Sequence, residues 1–165
     1  MKKKMKQLLP LLLFCGAILI CTSSTGPIYD RSIYSPVFME RSELERSVFF
    51  DQNNHDLVTP GKIYCKGDFI FINEKYKGIH IIDNSNPKLP RQVGFINAPG
   101  CLDLAIKGNT LYLDNAVDLV AFDLSSKTVT ERIKNVFPEP MSPTNDYYHS
   151  NLPANMILVG WRKNK

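Results

Sequence analysis

A pattern of short apolar runs and turn residues that repeats about every 40 residues predicts an all-β fold: a partial β-propeller of two four-stranded antiparallel blades, behind a signal segment and a short N-terminal helix. Three observations carry this. The stretch Gly67-Asp68-Phe69-Ile70-Phe71-Ile72-Asn73 leading to Ile79-His80-Ile81-Ile82-Asp83 returns 41 and 40 residues later as Gly108-Asn109-Thr110-Leu111-Tyr112-Leu113-Asp114 leading to Leu119-Val120-Ala121-Phe122-Asp123. The middle runs of each unit are apolar at consecutive positions, which asks for cover on both faces, as in a blade stacked between neighbours. Glycine and Asx residues stand where a hairpin or a strand end is needed.

Along the chain, Lys2, Lys3, Lys4 and Lys6 precede an apolar run from Leu8 to Cys21. A bilayer span needs roughly 18 or more apolar residues, so residues 1–21 read as a secretory signal, with a retained anchor helix as the alternative. Cys21 ends the run and is followed by Thr22, Ser23 and Ser24, the layout of a lipoprotein signal whose cysteine would carry a lipid anchor into the membrane. Ile20 stands where such signals usually hold a small residue, so plain secretion stays open beside lipidation; Cys15, behind Phe14, fits less well. Without residues 1–20 the chain has 16 basic and 16 acidic side chains. That balance leaves no electrostatic footprint for nucleic acid or anionic lipid. The remaining length, about 145 residues, suits one ordinary domain.

Residues 22–60 read as a linker: Ile28 to Pro60 lacks strand alternation, and Ser42 and Glu45 stand at capping-box spacing, which predicts a short helix over about 42–49. The first repeat, 61–100, divides into strands at Lys62–Cys65, Phe69–Asn73, Ile79–Asp83 and Gln92–Asn97. The second, 101–135, divides at Leu102–Ile106, Thr110–Asp114, Leu119–Asp123 and Thr128–Ile133, where Thr130, Glu131 and Arg132 suit an outer strand facing water. Gly67-Asp68 and Gly108-Asn109 supply tight hairpins, Asp83-Asn84-Ser85-Asn86-Pro87 closes a strand, and Pro99-Gly100 parts the units. Residues 136–165 form a Pro-rich tail, irregular through Pro138, Pro140, Pro143 and Pro153, ending in one strand at Met156–Trp161.

Few residues invite chemistry. His55, His80 and His149 have no second ligand at metal spacing; His80 reads as a strand-face residue, His55 as a loop residue and His149 as an exposed tail residue. Asp83, Asn84, Ser85 and Asn86, and again Asp114, Asn115 and Asp118, cluster oxygens, but neither spacing is that of a calcium loop and strand-end turns account for both. Cys65 and Cys101 read as small apolar residues buried in strands, with a disulfide in an oxidising compartment as the alternative. Tyr29, Tyr34, Tyr147, Tyr148 and Trp161 serve packing or, alternatively, recognition. No nucleophile elbow and no phosphate-cradling glycine loop is present, so no catalytic residue, metal or cofactor is assigned.

The run Ile79-His80-Ile81-Ile82-Asp83-Asn84-Ser85-Asn86-Pro87, weaker in Leu119-Val120-Ala121-Phe122-Asp123-Leu124-Ser125, resembles the hallmark of the LVIVD-repeat β-propeller family. Ser35 to Leu44, Pro60 to Tyr64, Phe71 to Glu74 and Ile157 to Trp161 resemble segments of its bacterial lipoproteins. The resemblance covers most of residues 28–161 and implies a fold rather than a chemistry. It leads to a non-enzymatic envelope lipoprotein, outer-membrane associated on an unassigned side, that binds a protein or glycan partner. This chain departs from the family by stopping after two repeats. Two bare outer faces of several hundred Å² each would forgo on the order of ten kcal/mol at about 25 cal/mol per Å², so the chain is expected to be marginally stable, to self-associate through those faces, or to be the front part of an interrupted gene. Two alternatives stand beside that reading: a truncated propeller fragment without independent function, and a glycan-binding or hydrolytic site on the propeller.

Overall fold

The computed structural model describes residues 33–145 and 154–164. The signal segment with Cys15 and Cys21, Tyr29, and the tail residues Tyr147, Tyr148, His149 and Pro153 lie outside the described residues. Eleven strands and one helical turn follow in the order β1 (Tyr34–Glu40), α1 (Arg41–Leu44), β2 (Phe49–Asp51), β3 (Pro60–Lys66), β4 (Phe69–Glu74), β5 (Gly78–Asp83), β6 (Arg91–Asn97), β7 (Leu104–Lys107), β8 (Thr110–Asn115), β9 (Asp118–Asp123), β10 (Thr128–Ile133) and β11 (Met156–Lys163). The protein is all-β.

Each repeat folds as an antiparallel meander, β3-β4-β5-β6 and β7-β8-β9-β10. The first meander gains a fifth strand, since β2 pairs with its outer strand β6. Equivalent residues hold equivalent registers: Phe71 faces Ile81 across β4–β5, and Leu111 faces Phe122 across β8–β9. The hairpins at Gly67-Asp68 and Gly108-Asn109 are two-residue turns, pairing Lys66 with Phe69 and Lys107 with Thr110. Both glycines take positive φ, 55° and 59°, which is the first central position of a type II′ turn.

The core lies between the sheets. Pairing partners share a face, so Tyr64, Phe71 and Ile81 form one inner row, Asn73, Ile79 and Ile96 the next. Leu104, Leu113 and Val120, with Ile106, Leu111 and Phe122, answer them from the second sheet. These apolar side chains join Val48, Ala98 and Cys101 in one cluster. Tyr64 Oη donates to the Ile106 carbonyl at 3.1 Å, tying the edge strands β3 and β7 of the two sheets. A third, two-stranded sheet pairs β1 with β11 and buries Val159 against Leu44 and Ala116.

Several expectations change. The linker carries two strands, β1 and β2, which its own sequence does not announce because their partners, β11 and β6, are far along the chain. The predicted helix over 42–49 shrinks to one turn, and the capping box does not form. Glu45 instead turns outward to Arg41 and Lys134, at 3.0 and 2.6 Å, while Ser42 Oγ lies 3.5 Å from Glu40 Oε2. Ser47 Oγ then donates to the Leu44 carbonyl and the chain leaves for β2. β7 starts at Leu104, because the amides of Leu102 and Asp103 are taken by the Asp114 carboxylate. The final strand runs on to Lys163.

Candidate functional site

The chemistry-bearing side chains gather at the end of the sheets opposite the two hairpins. On the outer face of the first sheet, Ile72, His80 and Phe95 form one row. The segment between β2 and β3 must cross the sheet from one edge to the other, and it does so over this end. His55 stacks on Phe95 at 4.2 Å and bonds Asp51 through Nε2 at 2.9 Å, while His80 meets the same phenyl ring edge-on at 4.9 Å. Gln92 joins the pair: its amide nitrogen donates to the His55 carbonyl at 3.0 Å, and its oxygen accepts from His80 Nδ1 at 3.1 Å and from the His55 amide.

Glu74 anchors the crossing. Its two oxygens accept the amides of Val58 and Thr59 at 2.9 and 2.8 Å, with Lys77 Nζ at 3.5 Å and His80 Nε2 at 3.7 Å. Burial pulls this carboxyl upward, but the Thr59 and Val58 amides and Lys77 outweigh it and hold it below the ordinary carboxylate value. Burial pushes the His80 ring below its usual value, against the attraction of Glu74. The imidazole thus lies 3.7 Å from a carboxylate whose two oxygens are both committed to backbone donors.

The second repeat builds a counterpart one residue earlier. Asp114 accepts the amides of Leu102 and Asp103, at 2.9 and 2.8 Å, holding the segment that enters β7 as Glu74 holds the one that enters β3. Burial raises this carboxyl above its ordinary value, and burial raises the neighbouring Cys101 thiol well above its own. Beside it, Asp118 is fully buried and receives Arg41 Nη2 at 2.9 Å, Arg132 Nη1 at 2.8 Å and the Asn135 amide at 3.0 Å. Arg132 also reaches Asn115 Oδ1 at 2.8 Å and the carbonyls of Leu44 and Glu45. So these residues are more than a strand-end turn: Asn115 and Asp118 clamp α1, β9 and the exit of β10 together, while Asp114 holds the entry to β7.

Other expected residues fall as follows. Asp83 and Asp123 each accept an amide two residues on, Ser85 at 2.9 Å and Ser125 at 2.9 Å, so these strand-end aspartates close Asx turns. Cys65 and Cys101 are both free thiols. The reading of both as buried strand residues is corrected: Cys65 sits in β3 on the outer, exposed face, and Cys101 is buried but in the connection before β7. Trp161 is half-buried in β11 and donates from Nε1 to the Pro140 carbonyl at 2.9 Å. No group of three or more His, Cys, Asp or Glu among the described residues is placed to hold a metal ion. Sequence reasoning missed Glu74 and Arg41, and its reading of Arg132 as facing water is corrected, since that side chain is 11% exposed and bound to the buried Asp118. A signal for the first existed, since a polar pair ends the second strand of both repeats, Asn73-Glu74 and Asp114-Asn115.

Away from the crossing segment each outer face keeps exposed apolar side chains. On the first sheet Cys65, Ile70 and Ile82 line up beside Ile63 and Ile72, and Ile63 is 59% exposed. On the second, Ala105, Tyr112 and Ala121 form a row in which Tyr112 is 37% exposed.

Fold and site together define an all-β protein of two repeated antiparallel meanders stacked face to face. No protein-family model and no curated protein sequence matches the chain. Among solved structures, the N-terminal domain of Nup159 is similar over 47% of this chain at 23% identity, with a TM-score of 0.38. The match spans 20% of that chain's length.

Proposed function

We propose that this chain is an exported LVIVD-repeat protein of the cell envelope, anchored through a lipid on Cys21, whose meanders are propeller-type blades and which works without catalysis as an interaction module. The observation that carries this reading is the set of exposed apolar side chains on both outer faces, because a propeller blade is apolar on both sides and normally meets a neighbour on each. The Ile63 row and the Tyr112 row are where a partner would sit, a second copy of the chain first among the candidates. Engagement of the buried carboxylates by backbone amides supports a structural rather than a catalytic use for them.

Two measurements test the reading. Metabolic labelling with a radioactive fatty acid should mark the protein in the envelope fraction, and Cys21→Ser should abolish the label and release the chain. An unprocessed cytoplasmic precursor would sink the export claim. Sedimentation equilibrium of the exported protein should show mass rising with concentration, and Ile63→Lys should suppress the rise. A monomer that unfolds cooperatively at every concentration counts against the open faces as contact surfaces.

A further inference from the structure

At the hairpin end the inner faces part and leave a cleft of about 580 Å³ between the sheets, within the roughly 300–1,000 Å³ range of small-molecule sites. Its floor is buried and aromatic: Phe71 and Ile81 from the first sheet and Phe122 from the second. Phe50 and Phe69 stand at its rim, and Phe69 is 43% exposed. A side chain of this kind half in water beside a buried apolar floor favours an apolar guest, and four phenyl rings favour one with a ring of its own.

Charge at the mouth decides what the guest carries. Lys66, at the end of β3, donates across the gap to the Gly108 carbonyl of the second sheet. Lys127, in the turn before β10, lies 4.1 Å above the Phe50 ring of the first sheet. The two ammonium groups therefore frame opposite sides of the opening, each reaching over to the other sheet. An ammonium has three donors, so the Gly108 carbonyl leaves two on Lys66 for a ligand. Asp68 is the single acid among the lining residues, which gives the mouth an excess of one positive charge.

We propose that this cleft binds a small aromatic carboxylate, ring inward against Phe71 and Phe122 and carboxylate paired with the Lys66 ammonium, with Lys127 adding positive charge on the far side of the opening. This stands apart from the envelope reading above, because it concerns the space between the sheets and not their outer faces. The probe is 4-phenylbutyrate titrated into the full chain, with two-dimensional amide NMR locating the site. Its alcohol and amine analogues test the charge and its cyclohexyl analogue tests the ring. Shifts centred on Lys66, Phe69 and Lys127, with the carboxylate binding at least fivefold tighter than the other three, are expected. Lys66→Met with Lys127→Met should erase the preference for the carboxylate over the alcohol while leaving the alcohol's own binding in place. Phe69→Glu, at an exposed position, should weaken the carboxylate tenfold or more with the amide spectrum otherwise native. Equal binding of the alcohol or the amine, equal binding of the cyclohexyl analogue, shifts at another surface, or no binding overturns the proposal.

Discussion

Gly78 opens β5 with φ of 150°, and a β-carbon there would press into the Ile96 carbonyl and come within 2.9 Å of the Phe95 ring. Backbone cannot yield as a side-chain tip can. Gly78→Ala should therefore cost about 3 kcal/mol or more in urea unfolding, where an exposed glycine change costs about one. Asp118 gives a second large effect. With the carboxylate gone, two guanidiniums that are 20% and 11% exposed lose their shared counter-ion, and Asp118→Asn should destabilise by about 3 kcal/mol in the same assay. His80 sets a pH dependence. Its folded value lies below the ordinary 6.5, so as pH falls through 6.5 the unfolded chain takes up a proton that the folded chain refuses. Stability is full above 6.5 and declines below it; Glu74, also depressed, adds loss in the same direction below its ordinary 4.5. Between about pH 7 and 5.5 the melting temperature of His80→Gln should fall less than that of the parent, and parallel slopes would assign the effect to another group.

At the scale of elements, the segment between β2 and β3 is held over the first sheet by Glu74 and by the His55–Phe95 stack, both local to one end. Leu57 and Val58 are exposed along it, 45% and 67%. Glu74→Ala should free this segment alone. Hydrogen exchange at the Val58 and Thr59 amides should accelerate by more than tenfold and limited proteolysis should cut near Leu57, with the amides of β8 and β9 unchanged. Loss of protection in β8 and β9 as well would make Glu74 part of the common core instead. The strands of the two meanders were legible because each pairs with its sequence neighbour, so the turn chemistry at Gly67, Asp83, Gly108 and Asp123 fixes both ends locally. β1 and β2 were not, since each depends on a partner more than 40 residues away, and the predicted helix kept only one turn, whose Arg41 is held by Asp118.

For the whole molecule the decisive contact is the shared core between the sheets. Phe122 and Leu111 of one sheet join Phe71 and Ile81 of the other in a single cluster, so neither meander has a core of its own. Phe122→Ala should cost about 3–5 kcal/mol, and it should lower the exchange protection of β5 and β9 by the same factor. Unequal loss in the two sheets would show that they unfold separately.

What the sequence determined by itself is the local and the repeated: the all-β class, the eight meander strands to within two residues of their ends, the tight hairpins and the Asx turns at Asp83 and Asp123. Nearest-neighbour pairing and backbone sterics suffice for these, and both are written in short windows. Tertiary structure alone decided the fifth strand on the first sheet, the β1–β11 pair, the exposure of Cys65, and the use of Glu74 and Asp118 as buried clamps. A charged residue at a strand end carries no mark of burial. Whether it faces water or two arginines depends on which distant segments the fold lays over it.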